Sequence, residues 1–398
     1  MIRSRPGRHR LTALLAPLLG TALALGLPPG TAAPARADTI RDQQRWALDA
    51  INAPAAWETT RGAGVTVAVL DTGVDAGHPD LAGAVLQGKD FVSHGAEPGD
   101  EHWAGHGTAM AGIIAGRGHG ADSGSGIVGV APEADILPVR VLLEENDPAR
   151  DEERDAPGNA VADGIRWAVD QGADVINLSL GDDSPSAHPD AEEDAAIRHA
   201  LAEGVVVVAS AGNGGESGDP VSYPAGYPGV IAVTAVDRSG ARAPFSTRRW
   251  YATVSAPGKD VIIAAPGSRY MQGWGTSAAA AFVSGSVALL RSAYPELSPA
   301  QIKRLLAETA QDPPEGGRDD RLGGGLVDPA AAIEAAAGLA PEPPVPAAGP
   351  YPQRYFGAGP DPAGSAGRST PWLAPLAGAL GVLLLGGAVV LFRRTRPH

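Results

Sequence analysis

The sequence predicts an α/β protein: a doubly wound, mostly parallel sheet with helices on both faces, followed by a C-terminal transmembrane helix. Three observations predict it. Residues 65–70 read Val-Thr-Val-Ala-Val-Leu, a near-continuous β-branched run with no polar face, which is the pattern of a strand buried on both sides of a parallel sheet. Runs of strand length then alternate with segments of helical pattern, and that alternation builds right-handed crossovers between parallel strands. Finally, residues 371–392 carry no charge over 22 residues, long enough at about 1.5 Å per residue to cross a hydrocarbon layer of about 30 Å.

In chain order, residues 1–37 have a basic start, an apolar run over 11–27 and the small-x-small triplet Ala35-Arg36-Ala37, the layout of a secretory signal peptide; an uncleaved anchor is the competing reading. Residues 38–63 are a polar and aromatic N-terminal extension containing Trp46 and Trp57. A globular domain over 64–337 begins with the strand at 65–70. Strands are expected at 136–143, 175–180, 205–209 and 230–236, and helices at 160–171, 191–203, 278–294 and 298–309, with a turn at 323–325 and a last element over 328–337. Residues 338–371, rich in Pro, Gly and Ala, read as an extended tether. The span at 372–392 is followed by a tail, 393–398, whose Arg393, Arg394 and Arg396 place it in the cytoplasm and the folded domain outside the membrane. A removed C-terminal sorting signal is the alternative.

Composition removes several classes of function. The 398 residues contain no cysteine, which excludes disulfides, thiol nucleophiles and cysteine metal sites. The net charge of -14 conceals basic ends: residues 38–392 hold 23 basic against 45 acidic residues, so this part should repel nucleic acid. The acidic segments 144–155 and 182–194 read as solvated surface loops without a calcium-ligand spacing; structural calcium is left open.

Three residues carry the chemistry. Ser277 follows Gly275-Thr276 at the start of the 278–294 helix, where unpaired N–H groups favour developing negative charge; an ordinary helix cap is the bland reading. Asp71 ends the first strand, at the edge where open α/β sheets place their sites, while Asp75 reads as a turn residue. His106 lies between Gly105 and Gly107 at the start of a helix of small residues, and His94, His102 and His119 read as incidental.

Asp71, His106 and Ser277 follow one of the known chain orders of the serine-hydrolase triad. Each has its own motif: Val69-Leu70-Asp71-Thr72-Gly73-Val74, His106-Gly107-Thr108-Ala109-Met110-Ala111-Gly112 and Gly275-Thr276-Ser277, with Ala209-Ser210-Ala211-Gly212-Asn213 as a fourth. In these stretches the chain resembles the subtilase family of serine proteases over roughly residues 46–337. The resemblance implies a subtilisin-like fold and endopeptidase activity on proteins or peptides without a catalytic cofactor. It gives Ser277 as nucleophile, His106 as general base and Asp71 as its orienting partner. It adds Asn213 beside the Ser277 N–H in the oxyanion hole, with Ser179, Leu180, Gly181, Ser210, Ala211 and Gly212 pairing with an extended substrate. The acidic run from Asp182 beside that cleft suggests tolerance for basic residues near the scissile bond.

Three departures stand out. The family usually has proline four residues after the nucleophile, where this chain has Ala281. Only 33 residues separate the expected cleavage site from Asp71, too few for the usual propeptide domain. Cysteines, common in mycosins, are absent. A short lead-in, a catalytic domain, a Pro-rich tether and a span nonetheless look like the mycosin branch, membrane-anchored subtilases associated with type VII secretion. That likeness implies a protease beside the secretion membrane complex; a general cell-surface protease and a scaffold with dispensable activity are the alternatives.

Overall fold

The structure, a computed structural model, describes residues 39–150, 159–182, 184 and 187–344. The expected signal peptide, most of the tether, the span at 372–392 and the tail lie outside the described residues, as do residues 151–155 of the first acidic segment and 183, 185 and 186 of the second. No helix among the described residues is long and apolar enough to cross a membrane.

Two helices, α1 (Thr39–Ala50) and α2 (Ala53–Ala56), occupy the N-terminal extension and lead into β1 (Thr66–Asp71). Next come β2 (Lys89–Asp90), α3 (Gly105–Ala115), the antiparallel pair β3 (Arg117–His119) and β4 (Ser125–Val128), and β5 (Asp135–Arg140). The alternating part continues with α4 (Ala160–Asp170), β6 (Val175–Leu178), α5 (Ala191–Ala202), β7 (Val206–Ser210) and β8 (Ile231–Val236). The chain then forms β9 (Ala252–Pro257), the hairpin of β10 (Lys259–Ala265) and β11 (Arg269–Trp274), and the helices α6 (Thr276–Ala293), α7 (Pro299–Glu308) and α8 (Pro329–Ala336).

Seven strands make one sheet in the order β2-β5-β1-β6-β7-β8-β9, and every neighbouring pair is parallel. The strands are apolar on both faces because both faces are covered. Val67 and Val69 of β1 enter the layer that contains α3 and α6, whereas Ala68 and Leu70 enter the layer that contains α4 and α5. Val206 and Val208 of β7 divide from Val207 and Ala209 in the same way. The period-two alternation of strand side chains thus feeds two separate cores.

α6 runs through the first of these cores and is buried continuously from Ala278 to Arg291. A helix hydrophobic all round belongs inside a protein, and its alanines allow close approach by neighbours. Ala281 is one of them, fully buried within an unbroken helix.

The expected strand at 175–180 stops at Leu178, so Ser179, Leu180 and Gly181 leave the sheet at its carboxyl edge. The expected strand at 136–143 likewise stops at Arg140. β1 has β5 on one side and β6 on the other, and chain direction across the sheet reverses there. Crevices beyond the carboxyl ends of such strands are where open α/β sheets bind ligands.

Candidate active site

Asp71 is the last residue of β1 and is fully buried. Its Oδ1 accepts the Thr72 N–H at 2.8 Å, and its two oxygens lie 2.8 and 2.9 Å from His106 Nδ1. The His106 ring therefore has Nδ1 fixed against a carboxylate, leaving Nε2 for the cleft. Burial pulls the imidazole pKa down, but the charge and hydrogen bond of Asp71, with the charge of Glu144, raise it from 6.5 to about 9.

His106 sits in the first turn of α3, and its flanking glycines have a steric reason. A Cβ on Gly107 would lie 2.0 Å from the Gly73 carbonyl oxygen and 3.1 Å from Asp71 Cβ. Glycine there serves the contact between α3 and the end of β1, rather than space around the ring.

Ser277 lies in the first turn of α6 behind Gly275, whose φ of 137° is poorly suited to any side chain. The Ser277 hydroxyl donates to the Ser179 carbonyl at 3.0 Å, and Ser179 Oγ donates back to the Ser277 carbonyl at 2.9 Å. Ser277 and His106 line the same two cavities of about 300 Å³, but no hydrogen bond joins them in this structure. Asn213 lines the second cavity with them. Its Oδ1 accepts both the Thr276 N–H at 2.9 Å and the Thr276 hydroxyl at 3.0 Å. Two donors on that oxygen fix which way the amide faces.

Of the expected cleft residues, Ser179, Leu180, Gly181, Ser210 and Gly212 line the second cavity with Ser277. Ser210 Oγ donates to the Leu180 carbonyl at 3.3 Å, joining the two edges. Ala211 is the exception. Its side chain is buried, its N–H donates to Val233 O at 2.9 Å and its carbonyl accepts the Tyr251 hydroxyl at 3.1 Å, so its backbone is already committed to the sheet and unsuited to pairing with a peptide.

The acidic segments also need correcting, since parts of both are built into the fold. Glu144 Oε1 accepts the Thr72 hydroxyl at 2.5 Å and the His106 N–H at 2.7 Å. Asp147 is buried; burial pushes its carboxyl up, but the N–H groups of Ala149 and Ala96, with Arg140 and His102 nearby, hold it below the usual range. Asp190 caps α5 by accepting the Glu192 and Glu193 N–H groups, each at 2.9 Å. No group of three or more His, Asp or Glu residues among those described is arranged to hold a metal ion.

The remaining candidates separate cleanly. Asp75 accepts the Gly77 and Gly267 N–H groups at 2.9 and 3.0 Å, a turn role. His119 pairs with buried Asp80 at 2.6 Å, and His94 bonds locally to Val92 O at 2.7 Å. His102 is closer to the chemistry than its sequence neighbourhood suggests, since it lines the first cavity with His106 and Ser277.

With this geometry in view, the Subtilase family profile matches residues 62–325. The chain belongs to the subtilase family. It is 40% identical over 268 residues to the major intracellular serine protease of Bacillus subtilis (strain 168), a match covering 66% of this chain and 78% of that protein. MycP1 with its N-terminal propeptide removed is similar with a TM-score of 0.62 at 30% identity, covering 76% of this chain and 99% of that one. The MycP3 protease from the type VII (ESX-3) secretion system is similar with a TM-score of 0.59 at 32% identity, covering 72% and 87%. This subtilase is a serine protease of the subtilisin type.

Proposed function

We propose that this subtilase cleaves internal peptide bonds with Ser277 as nucleophile, His106 as general base and then acid, and Asp71 as the carboxylate that fixes the imidazole tautomer. One observation carries the reading: both Asp71 oxygens lie within 2.9 Å of His106 Nδ1 on a ring that faces the same cavities as Ser277. The Ser277 hydroxyl must leave the Ser179 carbonyl and turn to His106 Nε2 when substrate binds. Catalytic hydrogen bonds commonly tighten only in the substrate complex.

Ser277 Oγ then attacks the scissile carbonyl carbon while His106 Nε2 takes the hydroxyl proton and passes it to the departing amine. Water next attacks the acyl-enzyme, giving its proton to His106, which passes it to Ser277 Oγ as the bond to the acyl carbon breaks and the new carboxyl end departs. Charge on the tetrahedral oxygen is met by the Ser277 N–H and the Asn213 side-chain amide. The Ser179–Gly181 stretch and the Ser210 and Gly212 positions form the edges along which an extended peptide lies.

The setting we infer is the outer face of a membrane, with a single span at 372–392 and a cytoplasmic tail, beside a type VII secretion complex. The likeness to MycP1 and MycP3 and the arginines following the span support it. The chemistry is tested with a serine-directed phosphonate and Ser277→Ala. Labelling should map to Ser277, and the substitution should lower kcat by about 10⁶-fold. Labelling at another serine, or hydrolysis that survives the substitution, refutes the assignment. Export that fails on deletion of the gene but survives Ser277→Ala would make the protein a scaffold first.

A further inference from the structure

The residue before α3 is Ala104, which has no side chain able to cap the orphan N–H groups of the first helical turn, and α3 has no side-chain cap of its own. Those donors are satisfied from elsewhere. The His106 N–H donates to Glu144 Oε1 at 2.7 Å, and the Gly107 N–H donates to Thr72 Oγ1 at 3.2 Å. Thr72 Oγ1 in turn donates to the same Glu144 oxygen at 2.5 Å, and the Thr72 N–H donates to Asp71 Oδ1 at 2.8 Å. A closed circuit therefore runs from Asp71 through Thr72 and Glu144 to the backbone of His106, joining three segments at the carboxyl edge of the sheet.

We infer that Glu144 is a positioning residue of the hydrolytic site: it acts as the missing cap of α3, holds the His106 backbone against Thr72, and sets a second negative charge beside the imidazole. The inference rests on the catalytic roles proposed above. Glu144 also lines both cavities, but its hydrogen bonds are directed into the protein rather than across the cleft.

Two consequences follow, one geometric and one electrostatic. A helix start without its cap is free to shift by fractions of an ångström, and misplacing a base by about 1 Å can cost about 10²-fold in rate. A nearby negative charge favours the imidazolium, in keeping with the raised His106 pKa to which Glu144 contributes after Asp71. The other charged or titratable groups facing this part of the cleft are Glu101 and His102 before α3, Glu145 and Arg150 after β5, and Arg269 on β11. None of them bonds to both His106 and Thr72.

Glu144→Gln separates the two contributions, because a neutral amide oxygen can still accept both hydrogen bonds. In the full-length protein it should keep kcat at high pH within a few-fold while moving the lower limb of the kcat/KM profile down by about one pH unit. Glu144→Ala should lose about 10- to 100-fold in kcat with KM little changed, and Glu144→Asp should recover part of that loss. NMR titration of the His106 imidazole in the wild type and in Glu144→Gln reads the same shift without any hydrolysis, so it stays decisive if the catalytic assignment fails. An unmoved imidazole titration in a Glu144→Gln protein that melts like the wild type overturns the electrostatic role. Full kcat in Glu144→Ala overturns the positional one, and a raised KM with unchanged kcat would make Glu144 a substrate contact instead.

Discussion

At His106 the contacts that orient the ring also decide when it carries a proton. The imidazole titrates at about 9 in the fold against 6.5 for the free side chain, because Asp71 and Glu144 outweigh the burial that opposes the charge. The folded state therefore binds the proton more tightly than the unfolded chain. The resulting stability is fully present below pH 6.5 and is lost as pH rises through about 9. With His106 as the proposed base, catalysis needs the neutral ring, so activity should rise across the window in which that stability is lost. Melting temperature should fall between pH 6.5 and pH 9 more steeply in the wild type than in Asp71→Asn, while wild-type kcat/KM climbs across the same interval. Parallel melting curves for the two proteins would show that the pair does not shift the titration. The proposed triad of Asp71, His106 and Ser277 stands out in the sequence because each residue carries a local motif. Glu144 does not, since within an acid-rich run a carboxylate looks solvated, and only the fold brings it to a histidine 38 residues away.

Among elements, the contact of α3 with the end of β1 leaves no space for a side chain at Gly107. Gly107→Ala drives a methyl group into the Gly73 carbonyl at 2.0 Å, and backbone on both sides leaves little room to yield. Overpacking of this kind costs about 1–3 kcal/mol, and moving α3 away from Asp71 should lower kcat by about 10²-fold. Chemical denaturation and a kinetic assay check both; a variant with wild-type stability would mean that the two elements separate freely. Away from the cleft, Lys303 of α7 borders an apolar cavity of about 660 Å³ and donates to the Val230 carbonyl at 2.7 Å. Burial, with Arg318 nearby, lowers its pKa from 10.5 to about 8. The charge is thus disfavoured in the fold, a penalty that is full below pH 8 and gone above 10.5. Lys303→Met should raise the melting temperature at pH 7, with the gain fading toward pH 10.5; an equal gain at both pH values would assign it to packing alone.

β1, β6, β7 and β8 were legible in the sequence because their burial demands continuous apolar runs. β9 is equally buried but reads Ala-Thr-Val-Ser-Ala-Pro. Its hydroxyls are tolerated because Thr253 Oγ1 accepts the Ala232 N–H at 3.2 Å and Ser255 Oγ donates to Gly325 O at 2.9 Å. The hairpin of β10 and β11 leaves little signal in the sequence because every residue of β11 is exposed or half-buried and offers no apolar alternation.

Across the described residues, the N-terminal extension is tied both to the region around β4 and to the segments leading into α8. Asn52 Nδ2 donates to Asp328 Oδ2 at 2.7 Å, Gln311 Nε2 donates to the Ala50 carbonyl at 3.0 Å, and Trp57 Nε1 donates to Val130 O at 2.7 Å. Arg41 spans the carbonyls of Ser123, Ser125 and Gly126 at 3.0, 3.2 and 2.9 Å. α1 lacks a clean apolar stripe in sequence because one of its three buried residues is polar: Gln44 is 2% exposed, beside Ala47 and Leu48. Its amide replaces a neighbouring strand, accepting the Val128 N–H at 3.0 Å and donating to the Val128 carbonyl at 2.6 Å. Gln44→Leu keeps the volume and removes both bonds, and each buried group left unpaired costs about 1–3 kcal/mol. The substitution should therefore destabilise the protein by about 2–6 kcal/mol in denaturant. Because these ties connect the first helices to β4 and, through Asp328 and Gln311, to the last elements, unfolding should remain a single transition. Hydrogen exchange at Val128 and in α8 should accelerate together. Fast exchange confined to α1 and β4, with α8 still protected, would show instead that the extension detaches as an independent unit.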